Sequence, residues 1–320
     1  MNQISHHFTL EEKHPNPTKS AYWQHLLHKA KAIANSACPV LITGETGSGK
    51  SHFARQVYEQ SNTYKKTLRV ISLSEISTDL FESELFGYRK GSFTGAINDF
   101  DGKIKSADGG TLLLEDINCL PLSFQSKLLR VIQEKTFERV GASEPVTVDV
   151  RIIVTSNENL KDLSQKGKFR SDLFYRLNMI NFNIHSLNER PQDILPFARY
   201  YLNKYTTLQG KKAMSFTNAM ENYIMAKSWK GNVRELEGFV ARQVSFADED
   251  ALSINGLNDE DLQEELKQTY TLKDHLKREE RLWIVKKLIK FEGQVKLAAK
   301  ELGMTDRNLY LKIKEYDIKY

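Results

Sequence analysis

Apolar residues recur along this chain in two alternating patterns. Short runs of aliphatic and branched side chains at Pro39–Thr43, Leu68–Leu73, Gly109–Asp116, Val150–Asn157 and Ile180–Ile184 read as buried strands. Between them the spacing turns helical: Trp23, Leu26, Leu27, Ala30, Ile33 and Ala34 predict a helix over Ala21–Ser36, and Ser51–Val57 opens another. Strands alternating with helices predict an α/β core, a parallel sheet with helices on both faces. From Asp193 the pattern is helical only, and Asp193–Gln209, Asn218–Ser228 and Asn232–Ala247 predict a helical subdomain. Asp248–Glu265 holds eight acids and no Lys or Arg, the composition of an exposed linker. Beyond it, Gln294–Leu302, a turn at Gly303 and a helix capped by Thr305 and running to Tyr316 predict a helix-turn-helix. Ala298, Ala299, Leu302, Leu309 and Ile313 would form its small core.

Candidate chemistry starts at Gly44-Glu45-Thr46-Gly47-Ser48-Gly49-Lys50-Ser51, which meets every fixed position of the phosphate-loop pattern between a strand and a helix. Its glycines let backbone N–H groups turn toward phosphate oxygens at a helix N-terminus. Lys50 would reach the outer phosphates, and the Ser51 hydroxyl would help hold Mg²⁺. Such a chain binds a nucleoside triphosphate. Glu115 and Asp116 end the third strand, where a phosphate-loop ATPase needs one carboxylate for the hydrated Mg²⁺ (Glu115 here) and one to polarise the attacking water. The stretch Glu84–Ala96 contains three glycines, which should break any helix, and carries an exposed-looking Phe93.

Charge sharpens the picture at the C-terminus. The chain has 46 Lys+Arg against 41 Asp+Glu, a net +5. Tyr270–Tyr320 alone has 13 against 8, also +5, so the first 269 residues sum to zero. That asymmetry points to a polyanion partner for the tail. No apolar run approaches the roughly 20 residues of a membrane span, and no hydrophobic signal core precedes the first helix, so a cytoplasmic protein without a membrane partner is expected. Cys38 and Cys119, the two cysteines, form no metal pattern, and His6, His7 and His14 read as a solvated terminus.

With these motifs in this order, the chain resembles the bacterial enhancer-binding proteins, AAA+ ATPases that activate RNA polymerase carrying sigma-54. Gly91-Ser92-Phe93-Thr94-Gly95-Ala96 is similar to the family's G-A-F-T-G-A loop, which implies that Phe93 and Thr94 touch the sigma factor. The resemblance implies further roles: Asn157 as the sensor of the terminal phosphate, Arg170 and Arg176 as arginine fingers reaching a neighbouring subunit's site, and Arg234 as a second sensor on the lid. It makes the tail a Fis-type DNA-binding domain, with Thr305, Arg307, Asn308, Lys312 and Lys314 as DNA-contacting candidates. Arg307 is the candidate for a base contact, Lys312 and Lys314 for the backbone. It also implies ATP and Mg²⁺ as cofactors and a homo-oligomer, a hexameric ring, bound at an upstream enhancer in double-stranded DNA. The expected organisation is an N-terminal extension (1–20), an AAA+ α/β core (21–185), a helical lid (186–247), an acidic linker (248–270) and a helix-turn-helix domain (271–320). About twenty leading residues are too few for a regulatory domain, so control is expected to come from a partner such as a trans-acting regulatory protein, from abundance, or not at all.

Four departures matter. The family orders its acids Asp then Glu, and here the order is Glu115-Asp116; a carboxylate set back by one methylene, roughly 1.5 Å, is a misplacement that can cost about a hundredfold in rate. Ser72 stands where the family uses Asn to hold the catalytic carboxylate, and Ser92 replaces the first alanine of the loop. Asp306 and Leu311 stand where the recognition helix is often basic. The acids and Ser72 keep a rival open: a nucleotide-binding, hydrolysis-poor DNA regulator that acts without sigma-54.

Overall fold

The computed structural model describes residues 17, 20–62, 67–247, 251–253, 272–291, 293–316 and 318. The chain divides into two compact units, Met1–Leu252 and Ser253–Tyr320. Apart from residues 17 and 20, the expected N-terminal extension with its histidines lies outside the described residues, as does most of the acidic linker.

In the first unit, α1 (Ala21–Ala32) leads into β1 (Val40–Gly44), α2 (Lys50–Glu59), β2 (Leu68–Ser72), α3 (Phe81–Phe86), α4 (Gly102–Lys105), β3 (Thr111–Glu115), α5 (Leu122–Glu134), β4 (Thr136–Glu138), β5 (Pro145–Thr147), β6 (Arg151–Ser156), α6 (Leu160–Gln165), α7 (Ser171–Leu177) and β7 (Ile180–Ile184). The sheet order is β2-β3-β6-β1-β7, all parallel, with Val40 paired to both Ile153 and Ile180. Alternate residues of each strand supply the two faces. Leu41, Ile71, Leu112, Leu114, Ile152 and Val154 pack into one core with α3, α5, α6 and α7. Val40, Ile42, Leu113, Ile153, Phe182 and Ile184 pack into the other with α1 and α2. Burial on both faces explains why these strands read as continuous apolar runs. Helix α3 extends to Phe86, so the glycine-broken loop begins at Gly87 and not at Glu84. Helix α5 and the antiparallel β4–β5 pair fall where no strand or helix was expected.

The lid comprises α8 (Ile194–Leu208), β8 (Ser215–Phe216), α9 (Asn218–Ala226), α10 (Asn232–Phe246) and β9 (Ala251–Leu252). Strand β9 lies inside the expected linker; it pairs in parallel with β8 and buries Leu252, so the lid reaches beyond residue 247. Asn232, fully buried, ties the lid to the core. Its amide donates to Glu45 Oε2 and to the Thr46 carbonyl, both at 3.0 Å, and its Oδ1 accepts from Leu187 N–H at 2.6 Å. The next residue continues the clasp, Val233 N–H donating to the Gly47 carbonyl at 3.0 Å.

The second unit holds α11 (Leu272–Lys290), α12 (Val295–Leu302) and α13 (Asp306–Glu315). Gly303 turns between α12 and α13 at φ 69°, and the Thr305 hydroxyl accepts from Asn308 N–H at 3.3 Å. Ile284, Leu288, Val295, Ala298, Ala299, Leu309, Ile313 and Ile318 form the core, with Leu302 half-buried at its edge. Lys290 and Lys287 both donate to Glu301, at 2.9 and 3.0 Å, joining α11 to α12 and holding its carboxyl down at about 2.

Two outcomes follow from these contacts. Asn232 has φ 57°, so Asn232→Ala loses the clasp and adds backbone strain; unfolding of the first unit in urea, read from buried Trp23 and Trp229, should show a loss of about 2–4 kcal/mol. Asn232→Gly, free of that strain, should lose about 1 kcal/mol less. For Glu301 the folded pKa is depressed, so its contribution is present above the unfolded value of about 4.3 and is lost as pH falls toward 2. Hydrogen exchange in α11 and α12 should therefore be faster in Glu301→Gln than in the parent at pH 6, with the difference gone near pH 2.

Candidate active site

The C-terminal ends of β1, β3 and β6 open into one crevice, beside β1 where the connections diverge to opposite sides of the sheet, the usual ligand position in such sheets. Residues Gly44–Ser51 fill the turn from β1 into α2. Gly47 takes φ 74°, and a Cβ there would lie 2.3 Å from the Gly231 carbonyl, so glycine is required both by the turn and by the approaching lid. Lys50 is only 7% exposed and donates to the Gly44 and Glu45 carbonyls, each at 2.9 Å. Burial pushes its amine below the usual lysine range, and the Asp116 carboxylate opposes that shift. Around it opens a cavity of about 590 Å³ bounded by the loop, Ser72 and Ser74, Glu115 and Asp116, Asn157, and lid residues including Tyr200, Tyr201 and Arg234. The lid aromatics were not among the sequence candidates; helix periodicity assigns them to α8, but only the fold turns them toward the loop.

The two acids differ in setting. Glu115 closes β3, and its Oε1 is buried with no hydrogen-bond partner. Asp116 sits in the left-handed region at φ 56°, its N–H donating to Thr155 Oγ1 at 3.1 Å. The Ser74 hydroxyl donates to Asp116 Oδ2 at 3.4 Å, and the Ser72 and Ser74 hydroxyls are 3.1 Å apart. Ser72 therefore reaches Asp116 only through Ser74. The cause is the 3₁₀ turn Leu73–Glu75 after β2, which carries Ser74 over the end of β3. Asn157 Nδ2 approaches Thr46 Oγ1 at 3.5 Å. An unpaired buried carboxylate oxygen on Glu115 and a nearby Ser51 hydroxyl are hard oxygen donors, and they fit a Mg²⁺ that keeps most of its water. Among the described residues no cluster of His, Cys, Asp and Glu offers a dedicated metal cage.

Arg170 and Arg176 do not line this cavity. Arg170 precedes α7 and forms a two-pronged pair with Asp172 at 3.1 and 2.8 Å; Arg176 is half-buried on the same helix. The loop Gly91–Ala96 also stands apart from the cavity. It closes on itself through Gly91 N–H to the Ala96 carbonyl at 2.9 Å and Ala96 N–H to Phe93 O at 3.0 Å. Below it, Tyr88 bridges Phe100 antiparallel and Arg89 pairs with Asp99, giving the loop a two-stranded stalk. Phe93 is 45% exposed with its ring edge-on to Tyr88, 4.9 Å between centroids, and Thr94 is exposed. The Ser92 hydroxyl turns inward and donates to the Arg89 carbonyl at 2.7 Å.

In the second unit, Arg307, Asn308 and Lys314 are exposed on α13, and Thr305 caps it. Lys312 differs from the expected backbone contact. Its amine is held 2.7 Å from the Glu280 carboxylate of α11 and lies over the Tyr316 ring, and the Glu280 hydrogen bond raises its pKa. Leu311 and Tyr310 are exposed instead, a feature visible in the sequence only as the helical offset of four from Arg307 to Leu311.

Residues 17–183 match the Sigma-54 interaction domain family, 188–274 the AAA+ ATPase lid domain, and 276–316 the Fis family of bacterial regulatory proteins. The Nitrogen fixation protein AnfA of Azotobacter vinelandii is 38% identical over 298 residues, 92% of this chain and 55% of that protein. The Regulatory protein AtoC of Escherichia coli K12 is 34% identical over 334 residues, 96% of this chain and 71% of that protein. The crystal structure of NtrX from Brucella abortus in complex with ATP superposes with a TM-score of 0.71 at 27% identity, covering 94% of this chain and 69% of that one. The chain spans about half the length of AnfA and about seven tenths of AtoC and NtrX. No described helix is long and apolar enough to cross a membrane. With a parallel AAA+ core, a helical lid and a Fis-type helix-turn-helix in one chain, this protein belongs to the family of sigma-54-dependent transcriptional regulators.

Proposed function

We propose that this protein is a sigma-54-dependent transcriptional activator, an ATPase that assembles into a ring, probes sigma-54 RNA polymerase with Phe93 and Thr94, and holds upstream double-stranded DNA through α13. The observation that carries the reading is the conjunction, in one chain, of the Lys50 cavity with its paired acids and a stalked loop that presents Phe93 to solvent. A generic nucleotide-driven remodeller has no use for that loop beside a helix-turn-helix. The expected setting is the cytoplasm, where RNA polymerase works.

In this reading the backbone N–H groups of Glu45–Ser51 and the Lys50 amine bind the ATP phosphates. Mg²⁺ held through Ser51 and Glu115 would neutralise charge on the outer phosphate oxygens. Asp116 orients the attacking water, Asn157 senses the terminal phosphate beside Thr46, and Arg234 contacts nucleotide from the lid. Arg170 and Arg176, outside their own chain's cavity, would serve a neighbouring subunit, where a cation stabilises charge on the transferred phosphoryl group. That division of the site requires a ring, for which a hexamer is proposed. A trans-acting regulatory protein is a proposed further partner.

A second reading, a nucleotide-gated DNA regulator with slow hydrolysis, draws support from Asp116. Its carboxylate is one methylene shorter than the family's glutamate and is engaged by Ser74.

ATP hydrolysis by the purified protein across a concentration series separates the two. The activator reading expects turnover that rises cooperatively with concentration and is abolished by Arg170→Ala and by Asp116→Ala. ATP binding without turnover in the assembled state would establish the second reading. If Ser74 restrains Asp116, Ser74→Ala should raise basal turnover a few-fold with ATP affinity unchanged; a fall in turnover would mean that Ser74 holds Asp116 in its working position.

A further inference from the structure

Helix α13 is where this chain departs furthest from a simple basic reading head. At 100° per residue, Leu309 and Ile313 point into the core, and the direction opposite them is occupied by Leu311. Leu311 is 59% exposed, with Arg307 one turn before it and Lys314 one turn after it on the same face. Lys312 is withdrawn to Glu280, so the middle of the exposed face is apolar; Arg307 stands at its N-terminal end, and Lys314 together with the exposed Glu315, which pairs with Lys277 of α11 at 3.4 Å, stands at its C-terminal end. Any ligand that docks this face covers Leu311 first.

Resting on the reading of α13 as a DNA-binding helix, we infer that Leu311 is a specificity-determining residue that packs against the C5 methyl of a thymine in the major groove. Arg307 and Lys314 on either side supply the cations that seat the helix on the duplex. The physical case is a matching of chemistries. Thymine alone presents a methyl group in the major groove, an aliphatic side chain is its natural complement, and the contact distinguishes T·A from the other pairs. A leucine at this point contributes nothing to phosphate neutralisation, so it lowers the salt dependence of binding while adding sequence dependence. Leu311 makes no contribution to the core of its own unit, so substitutions there leave the fold intact.

The test uses the full chain. A random duplex pool is selected for bound sequences, and each thymine of the selected site is then replaced in turn by deoxyuridine, which removes the C5 methyl alone. At one thymine of the selected site the replacement should weaken binding about fourfold, the burial value of one methyl. In Leu311→Ala the same replacement should change nothing, while circular dichroism melts like the parent. Leu311→Arg should lose the thymine dependence and steepen the slope of log affinity against log salt by about 0.9, one added phosphate contact. A selected site with no sensitive thymine, or one whose sensitivity survives Leu311→Ala, overturns the assignment of Leu311 while DNA binding stands. Failure to select any duplex overturns the DNA-binding reading itself, and with it this inference.

Discussion

The contact on which the first unit depends is the closure of the lid over the phosphate loop. Gly47 lets the Gly231 carbonyl come within a distance that any Cβ would forbid, and Val233 and Asn232 then satisfy the loop's carbonyls from α10. Buried backbone carbonyls left without donors would cost about 1–3 kcal/mol each, so the loop and the lid hold each other in register. Arg190 reinforces the same junction: its guanidinium, fully buried, donates to the Ser48 carbonyl, pairs with Asp193, and lies over the rings of Trp23 and Phe197 at 5.3 and 5.8 Å. The phosphate loop is thereby joined to helices of both core and lid.

Around that junction the polar groups of the cavity are set by strand ends. The left-handed turn at Asp116 follows from β3 ending one residue earlier, and Thr155 of β6 receives the Asp116 N–H because the two strands are neighbours. The Ser72 and Ser74 hydroxyls, 3.1 Å apart, link the end of β2 to the Asp116 carboxylate through the Ser74 hydrogen bond. Glu115 ends β3 with one buried carboxylate oxygen that has no hydrogen-bond partner.

Two exposed apolar groups are held in water by different devices. Phe93 is raised on a short stalk and packs in a T-shaped contact with Tyr88 while staying about half exposed. Leu311 stands on a rigid helix whose other side is locked by Leu309, Ile313 and the Lys312–Glu280 pair. In both cases the exposed group is displayed by an element whose conformation is settled elsewhere.

The phosphate loop, the five strands of the sheet, the lid helices and the helix-turn-helix were legible in the chain itself, because a buried parallel strand must be apolar throughout and an amphipathic helix must repeat near 3.6 residues. The glycines and Lys50 declared the phosphate site for the same local reason: a phosphate turn admits few side chains. Strand order, the clasp of Asn232 on Thr46, the insertion of Ser74 between Ser72 and Asp116, and the lid aromatics at the cavity were not legible, since each joins residues distant in sequence whose meeting depends on packing. Lys312 and Leu311 show the divide most clearly. The sequence placed Lys312 among the candidates for the DNA backbone and left Leu311 outside the small core. Only the packing of α13 against α11 decides that the lysine amine turns back to Glu280, while Leu311 stays in solvent as the helical period allows.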